Sequence, residues 1–345
     1  MELEDVKRYS LKMKIDIIVP IYNAARYIPS FFSDLAKQTF SNFRVIFSND
    51  ASTDDSLQTI SDALKVNPEI QAIVITAKEN GGAGLARDLV LDTVPLTGDY
   101  VAFMDADDHP HPDFLQKLVN RALETNADIV ACGFTRVDEA TGKAVAHDML
   151  HNPEKTITNI PTNFVIPYLN TAVWNKLFRR SLIQNARFGN ARSAEDAIFF
   201  MRFLCNAKSI SFINESLYDY LIHPNSRTAN TDIDLLGSTE NAIKDAINEN
   251  SIASEMKELT TAIVFLRVGI GMTTRAALRN KKDKHRIIAS TKKYLDANYP
   301  LWRKNTFTSF SQCFKHGLPP SFCRRPSSSR MVISSLSDGS QAHRR

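Results

Sequence analysis

Residues 100–114 read YVAFMDADDHPHPDF: an apolar run, then three carboxylates, Asp105, Asp107 and Asp108, then two histidines alternating with prolines. Five consecutive apolar residues suit a strand covered on both faces. Carboxylates crowded behind such a strand repel one another unless a divalent cation or hydrogen-bond donors neutralise them. In an open α/β sheet that is also where ligands bind, in the crevice beyond the carboxyl ends of the strands.

The flanking sequence has the matching alternation. Strand runs IDIIVP, FRVIFS, IQAIVIT, YVAFMD and ADIVACGF are separated by helical patterns near 25–38, 54–66, 82–94 and 111–125. This order predicts an α/β fold with a mostly parallel sheet. From Glu139 to Pro167 the pattern dissolves into polar residues and prolines. The chain then returns with NTAVWNKLFRRSLI, a helix near 194–206, and strands near 209–213 and 217–222. Beyond Asp232 only helices are predicted, over 233–249, 252–280 and 283–297, and the Ser-, Pro- and Arg-rich stretch after Asn305 reads as disordered.

Composition narrows the class. The net charge of +4 conceals an asymmetry: residues 261–345 hold 17 Lys and Arg against 3 Asp and Glu, whereas the preceding chain holds 25 against 35. A basic helical end of this kind suits peripheral contact with an anionic membrane. It lacks the aromatic interleaving of a nucleic-acid surface, and no nucleic-acid partner is expected. The most apolar stretch, from Thr261, is interrupted by Arg267 and Arg275, so no transmembrane helix is predicted. The polar start MELEDVKRYSLKMK has no secretory layout, and the protein is expected in the cytoplasm, at the inner face of the cell membrane. Cys132, Cys205, Cys313 and Cys323 show no CxxC pairing and read as reduced thiols.

Four loops follow the first four strands: PIYNAARY, SNDASTDDS, KENGGAGLARD and DADDHPHPD. Hard oxygen ligands there favour Mg²⁺ or Mn²⁺, ions that bind through one or two carboxylates together with substrate phosphates. The pattern implies handling of a diphosphate.

Taken in order, IIVPIYNAARYI, SNDASTDDS, NGGAGLARD, FMDADD, WNKLFRRSLI and AEDAIFF resemble the family 2 glycosyltransferases of the GT-A fold, over roughly Ile15–Thr228. The resemblance implies a GT-A domain over 13–230, a helical C-terminal region over 231–304 and a tail over 305–345. It implies a metal-dependent, inverting transfer of one sugar from a UDP-sugar or other nucleotide-sugar donor to a glycan or lipid-linked acceptor. No QxxRW motif accompanies it, which favours single transfer over processive synthesis. By position, Asp196 takes the place of the catalytic base. Pro20, Tyr22, Asp50, Asn80, Arg87, Asp105 and Asp107 take donor-side places, with Asp107 and His223 on the Mn²⁺ or Mg²⁺ cofactor. Asn49 stands where many relatives have Asp, which leaves the nucleotide open.

Other readings compete. Asp105 and Asp107 also match the nucleophile motif of haloacid-dehalogenase-type phosphatases, but His109 occupies the place of the Thr or Val those enzymes need. A catalytically silent nucleotide-sugar binder or membrane-surface scaffold is the alternative of a different class. His109 and His111 suit an extended lead into the next helix better than a metal site. Gly81, Gly82 and Gly84 suit a tight turn opening a helix better than a dinucleotide fingerprint. Ser193 reads as the cap of the helix that carries Asp196, and Trp174 as a wall residue before an acceptor platform.

Overall fold

A computed structural model describes residues 12–148, 156–163, 166, 169–184, 186–191, 193–223, 233–248 and 256–306. The chain divides into two compact units, residues 1–160 with 171–226, and residues 161–170 with 227–345. The tail after 306, with Cys313 and Cys323, lies outside the described residues.

The first unit is built on one ten-stranded sheet. Its strands are β1 (Ile15–Ile21), β2 (Phe43–Asn49), β3 (Gln71–Thr76), β4 (Tyr100–Phe103), β5 (His109–Pro110), β6 (Ile129–Asp138), β7 (Lys143–Asp148), β8 (Thr156–Ile157), β9 (Lys176–Arg179) and β10 (Ile210–Ile222). The spatial order is β3-β2-β1-β4-β9-β6-β10-β5, with β7 beside β6 and β8 beside β10. Strands β3, β2, β1 and β4 are parallel, and β6 pairs parallel with β10. The short β9 enters antiparallel between β4 and β6, and β5, β7 and β8 are antiparallel too. The expected α/β sheet is present with its long ladders parallel, and the short strands add antiparallel pairings to it. All the long strands but β7 still run the same way, because β9 reverses direction between two of them.

The connecting helices are α1 (Ile28–Ala36), α2 (Ser56–Val66), α3 (Ala83–Thr93), α4 (Phe114–Thr125) and α5 (Glu195–Leu204). Strand alternation sends Ile17 and Val19 to one face, where they join Phe31, Phe32 and Leu35 of α1 and Phe114, Leu115 and Leu118 of α4 in one core. On β4, Phe103 meets Phe178, Phe188 and Phe199 edge-on at 5.0–5.7 Å, and Phe188 stacks on Phe199 at 4.3 Å. This aromatic block lies beneath the start of α5. At the sheet edge, β3 is only partly covered and Val74 is 40% exposed.

The polar stretch after Glu139 is not structureless. Residues 129–148 form a β6–β7 hairpin, its turn held by Asp138 accepting from the Thr141 amide and hydroxyl. β10 is one bulged strand instead of two.

The second unit is helical: α6 (Ile233–Asn248), α7 (Lys257–Val264), a π-helical stretch Phe265–Met272, α8 (Thr273–Arg279) and α9 (Lys284–Asn298). The continuous run Lys257–Arg279 is long and apolar enough to cross a bilayer by length and composition, and 67% of its most apolar window is buried inside the protein. That burial is what a core helix shows. Ile287, Thr291 and Leu295 form the buried stripe of α9.

Candidate active site

The carboxyl ends of β1, β2 and β4 bring the expected loops to one edge of the sheet. The loop after β1 is stapled to the loop after β2. Asn23, at φ 49°, accepts from the amides of Thr53 (2.8 Å) and Asp54 (3.3 Å), and Ser56 accepts from the amide of Ala24 (2.8 Å). Pro20 is the penultimate residue of β1, opposite Ser48 of β2, and Tyr22 just past the strand is half exposed. A ring left open at this edge is available to a planar ligand group.

Asp50 is buried, and its two oxygens accept from the amides of Gly81 (2.8 Å) and Gly82 (2.7 Å). The Asn80 side chain donates to the Asp50 carbonyl at 3.3 Å. Asp50 thus ties the second strand end to the glycine turn before α3, where Gly82 takes φ 87° as the helix cap. The glycines act as a turn, as the sequence indicated.

The third loop carries Arg87 into the cluster. Its buried guanidinium donates to Asp105 at 2.6 Å and to Asp196 at 3.2 Å, with Glu195 at 3.9 Å. Burial pushes the Asp196 carboxyl up, against the pull of Arg87 and with the push of Glu195 and Asp105, to about 7. Burial raises Asp105 as well, and Arg87 offsets part of that. A carboxyl poised near neutrality suits proton abstraction. Asp196 lies in the first turn of α5, whose cap is Ala194 in a left-handed conformation at φ 61°, with no side-chain capping bond. Ser193 is therefore not the cap: the chain enters this helix through a left-handed turn that puts Ala194 in the capping place.

After β4 the chain makes a tight turn, the Asp108 amide donating to the Asp105 carbonyl at 3.2 Å. Asp105 points to Arg87, whereas Asp107, a third exposed, meets His223 Nε2 at 3.2 Å. The Asp107 contact raises the pKa of His223 above the ordinary imidazole value, and His223 Nδ1 is buried with no hydrogen-bond partner. Asp108, assigned no role by the sequence, is buried. It accepts from the Leu221 amide at 2.9 Å and fixes the turn to β10. Burial, with Asp107 and Asp105 nearby, lifts its pKa well above the usual carboxylate range. The Asp105 amide donates to the buried Tyr218 hydroxyl at 3.3 Å. Nothing local in the sequence marked Tyr218. It stands in an alternating strand and is used from 113 residues away.

His109 bonds Asp34 at 2.6 Å and His111 bonds Asp219 at 3.1 Å, each through one ring nitrogen. These are structural pairs around β5. Trp174 is 6% exposed, stacked with Tyr218 and Tyr220 and edge-on to Phe134, which makes it a wall residue.

The donor set at Asp107 and His223 fits a divalent ion. Two donors at right angles on an ion with bonds of about 2.1 Å lie roughly 3 Å apart, close to the 3.2 Å separation found. Among the described residues no group of three or more His, Cys, Asp or Glu gathers into a fuller metal cage.

Residues 16–202 match the profile of “Glycosyl transferase family 2”. The chain belongs to this family. It is 30% identical over 222 residues to the putative glycosyltransferase EpsH of Bacillus subtilis (strain 168), a match covering 61% of this chain and 62% of EpsH. It is 28% identical over 214 residues to the poly(ribitol-phosphate) beta-N-acetylglucosaminyltransferase TarS of Staphylococcus aureus, covering 60% of this chain and 35% of TarS. The match thus spans under two thirds of either relative. In three dimensions the fold matches that of S. aureus TarS residues 1–349 in complex with UDP-GlcNAc, at a TM-score of 0.69, 19% identity, and 95% and 92% coverage of the two chains. The mannosyltransferase PcManGT of Pyrobaculum calidifontis, in complex with GDP-Man and Mn²⁺, matches at a TM-score of 0.55, 16% identity, and 88% and 89% coverage. The fold is GT-A.

Proposed function

We propose that this family 2 protein is an inverting glycosyltransferase that moves one sugar from a nucleotide-sugar donor to an acceptor hydroxyl, in cell-surface polysaccharide or glycan synthesis. The observation that carries this reading is the divided acidic cluster. Asp105 and Asp196 are held on one buried guanidinium, while Asp107 and His223 stand beside them at the sheet's carboxyl edge.

In this reading Asp196 accepts the proton of the acceptor hydroxyl as its oxygen attacks the anomeric carbon and the bond to the nucleoside diphosphate breaks. Its raised pKa, near 7, makes the carboxylate basic enough for that role. Asp105 faces the ribose, and Tyr22 and Asp50 border the base. Asp107 and His223 would hold Mn²⁺ or Mg²⁺, which when bound supplies Lewis-acid stabilisation of the departing diphosphate. The UDP-GlcNAc complex of TarS supports a UDP-linked donor, and the GDP-Man and Mn²⁺ complex of PcManGT supports the metal.

The acceptor is read as a glycan or a lipid-linked chain at the inner face of the membrane. Lys281, Lys282, Arg286, Lys292 and Lys293 are all exposed on α9 and the turn before it, a cationic face suited to anionic headgroups. Sedimentation with anionic vesicles tests this: binding that weakens with salt is expected, and no binding at low salt removes the membrane contact.

Thermal stabilisation across a panel of UDP- and GDP-sugars, with Mn²⁺ and with EDTA, tests the function. One donor should stabilise the fold in a metal-dependent way and turn over with an acceptor. Stabilisation with no hydrolysis or transfer would move the protein to the silent-binder reading, and no response to any donor would remove both.

A further inference from the structure

Arg87 is 2% exposed, and both its terminal nitrogens are engaged by carboxylates. The guanidinium lies over the Phe188 ring at 5.1 Å, and its Nε has no partner. The flanking carboxylates hold it charged despite burial. Such a group is costly to bury, and a fold that keeps it gains something from the geometry it imposes.

Arg87 does not act alone on α3. Gly84, Arg87 and Asp88 fall at i, i+3 and i+4 and share one helix face. Asp88 accepts from the amides of Phe188 (2.9 Å) and Gly189 (2.8 Å). A Cβ at Gly84 would stand 2.9 Å from the Gly189 carbonyl oxygen and 3.1 Å from Glu195 Cβ. That face therefore grips the segment leading into α5, the helix that begins without a side-chain cap. The orientation of Asp196 is set from α3.

We propose that Arg87 is a positioning residue: by bridging Asp105 and Asp196 it fixes the donor-side carboxylate and the proton acceptor in one frame, and it contributes to transfer through them. The inference rests on the transfer reading given above. It adds to the expectation that Arg87 lies at the donor, because the side chain is 2% exposed and each Nη meets a protein carboxylate. A planar fork can bond two carboxylates in different directions, whereas a lysine ammonium supplies the charge from a single point.

The test compares wild type, Arg87→Lys and Arg87→Met in transfer kinetics, pH profiles and calorimetric titration with UDP and Mn²⁺. We expect Arg87→Met to lower kcat about 100-fold, the loss that follows from a misplaced reacting group, with a smaller loss of UDP affinity, at most about tenfold, through the loosened Asp105. The ascending, low-pH limb of kcat/KM should move to higher pH, because Asp196 would then face Glu195 and Asp105 without their shared cation. Arg87→Lys should recover part of the rate and part of the shift. Should Arg87→Met fail to fold, Arg87→Lys decides: a lowered kcat with a displaced pH limb supports the proposal. An unchanged kcat or an unmoved limb in the folded variants overturns it, as does a loss of UDP affinity that matches the loss of rate. Failure of the wild type to bind UDP with Mn²⁺ would instead overturn the transfer reading.

Discussion

Asp105 and Asp107 are two residues apart on one turn and have opposite surroundings. Asp105 is paired with a buried guanidinium at 2.6 Å, and its amide is anchored on Tyr218. Asp107 is about as exposed as Asp105, 33% against 27%, but meets one imidazole at 3.2 Å. The difference separates two tasks within one acidic cluster. On the Arg87 side the protein supplies its own counter-charge, so the carboxylates are in place before any ligand arrives. On the His223 side the charge is left for a cation and a diphosphate to complete. Preorganisation of the first kind spares reorganisation during the reaction.

The largest effects should come from breaking each half in turn. Asp196→Asn removes the proton acceptor while keeping shape and hydrogen bonding to Arg87, and kcat should fall about 10²- to 10⁴-fold with UDP binding retained. Asp107→Ala should instead abolish metal-dependent donor stabilisation. It should leave the melting temperature of the ligand-free protein nearly unchanged, within about 0.5 kcal/mol of stability. Arg87→Met should destabilise the ligand-free protein by about 1–3 kcal/mol, because it leaves three partly exposed carboxylates without their shared cation. Equal melting temperatures for Asp107→Ala and Arg87→Met would erase the distinction between the two halves.

The next effect is on pH. Transfer needs Asp196 ionised, so kcat/KM should rise with pH through a limb near 7, the value to which burial lifts this carboxyl. Stability should run the other way. A carboxyl whose folded pKa lies above its unfolded value favours folding most below about 4, and that contribution is lost as pH rises toward 7. Asp88, lifted by burial to about 6, adds a loss of the same sign between about 4 and 6. Activity and stability should therefore diverge across this range. In Asp196→Asn the stability slope above pH 6 should become less steep, the remainder coming from Glu240, which burial also lifts to about 7, a result that chemical denaturation at several pH values would show.

How much of this was legible depends on whether the determining contacts are local. β1 and β2 are largely apolar and β4 wholly so, and their helices have clear apolar stripes, so the order of elements and the loops at the strand ends could be read directly. β9 could not be placed. Four residues with a buried lysine give no sign of direction, and its antiparallel insertion between β4 and β6 is settled by pairing with strands far away in sequence. β7 was missed because its exposed face follows the composition of a loop. At the site, the resemblance pointed to Arg87, Asp105 and Asp196, but the bridge joining them spans sequence separations of 18 and 109 residues. Likewise the use of both Asp50 oxygens as ties to Gly81 and Gly82 depends on a turn 31 residues away.

The smallest expected effect concerns backbone strain, and it sharpens the same comparison. Four described non-glycine residues have positive φ: Asn23 (49°), Ala51 (56°), Asn126 (51°) and Ala194 (61°). Asn126 ends α4, a place where asparagine is well tolerated. Ala51 and Ala194 have no such excuse, for a Cβ in the left-handed region costs roughly 1–2 kcal/mol. One follows Asp50, and the other precedes Glu195 and Asp196. Ala51→Gly should relieve the strain at an entropic cost of about 0.5–1 kcal/mol, leaving a net gain between about 0 and 1.5 kcal/mol and centred under about 1 kcal/mol. A gain of about 1 kcal/mol corresponds to roughly 2–4 °C in melting temperature. Ala194→Gly should give a similar gain in stability but lower kcat, because the uncapped start of α5 then loses the stiffness that holds Asp196 against Arg87. If both variants melt higher and transfer at the wild-type rate, strain at Ala194 has no part in positioning the base, and the α3 contacts alone must suffice.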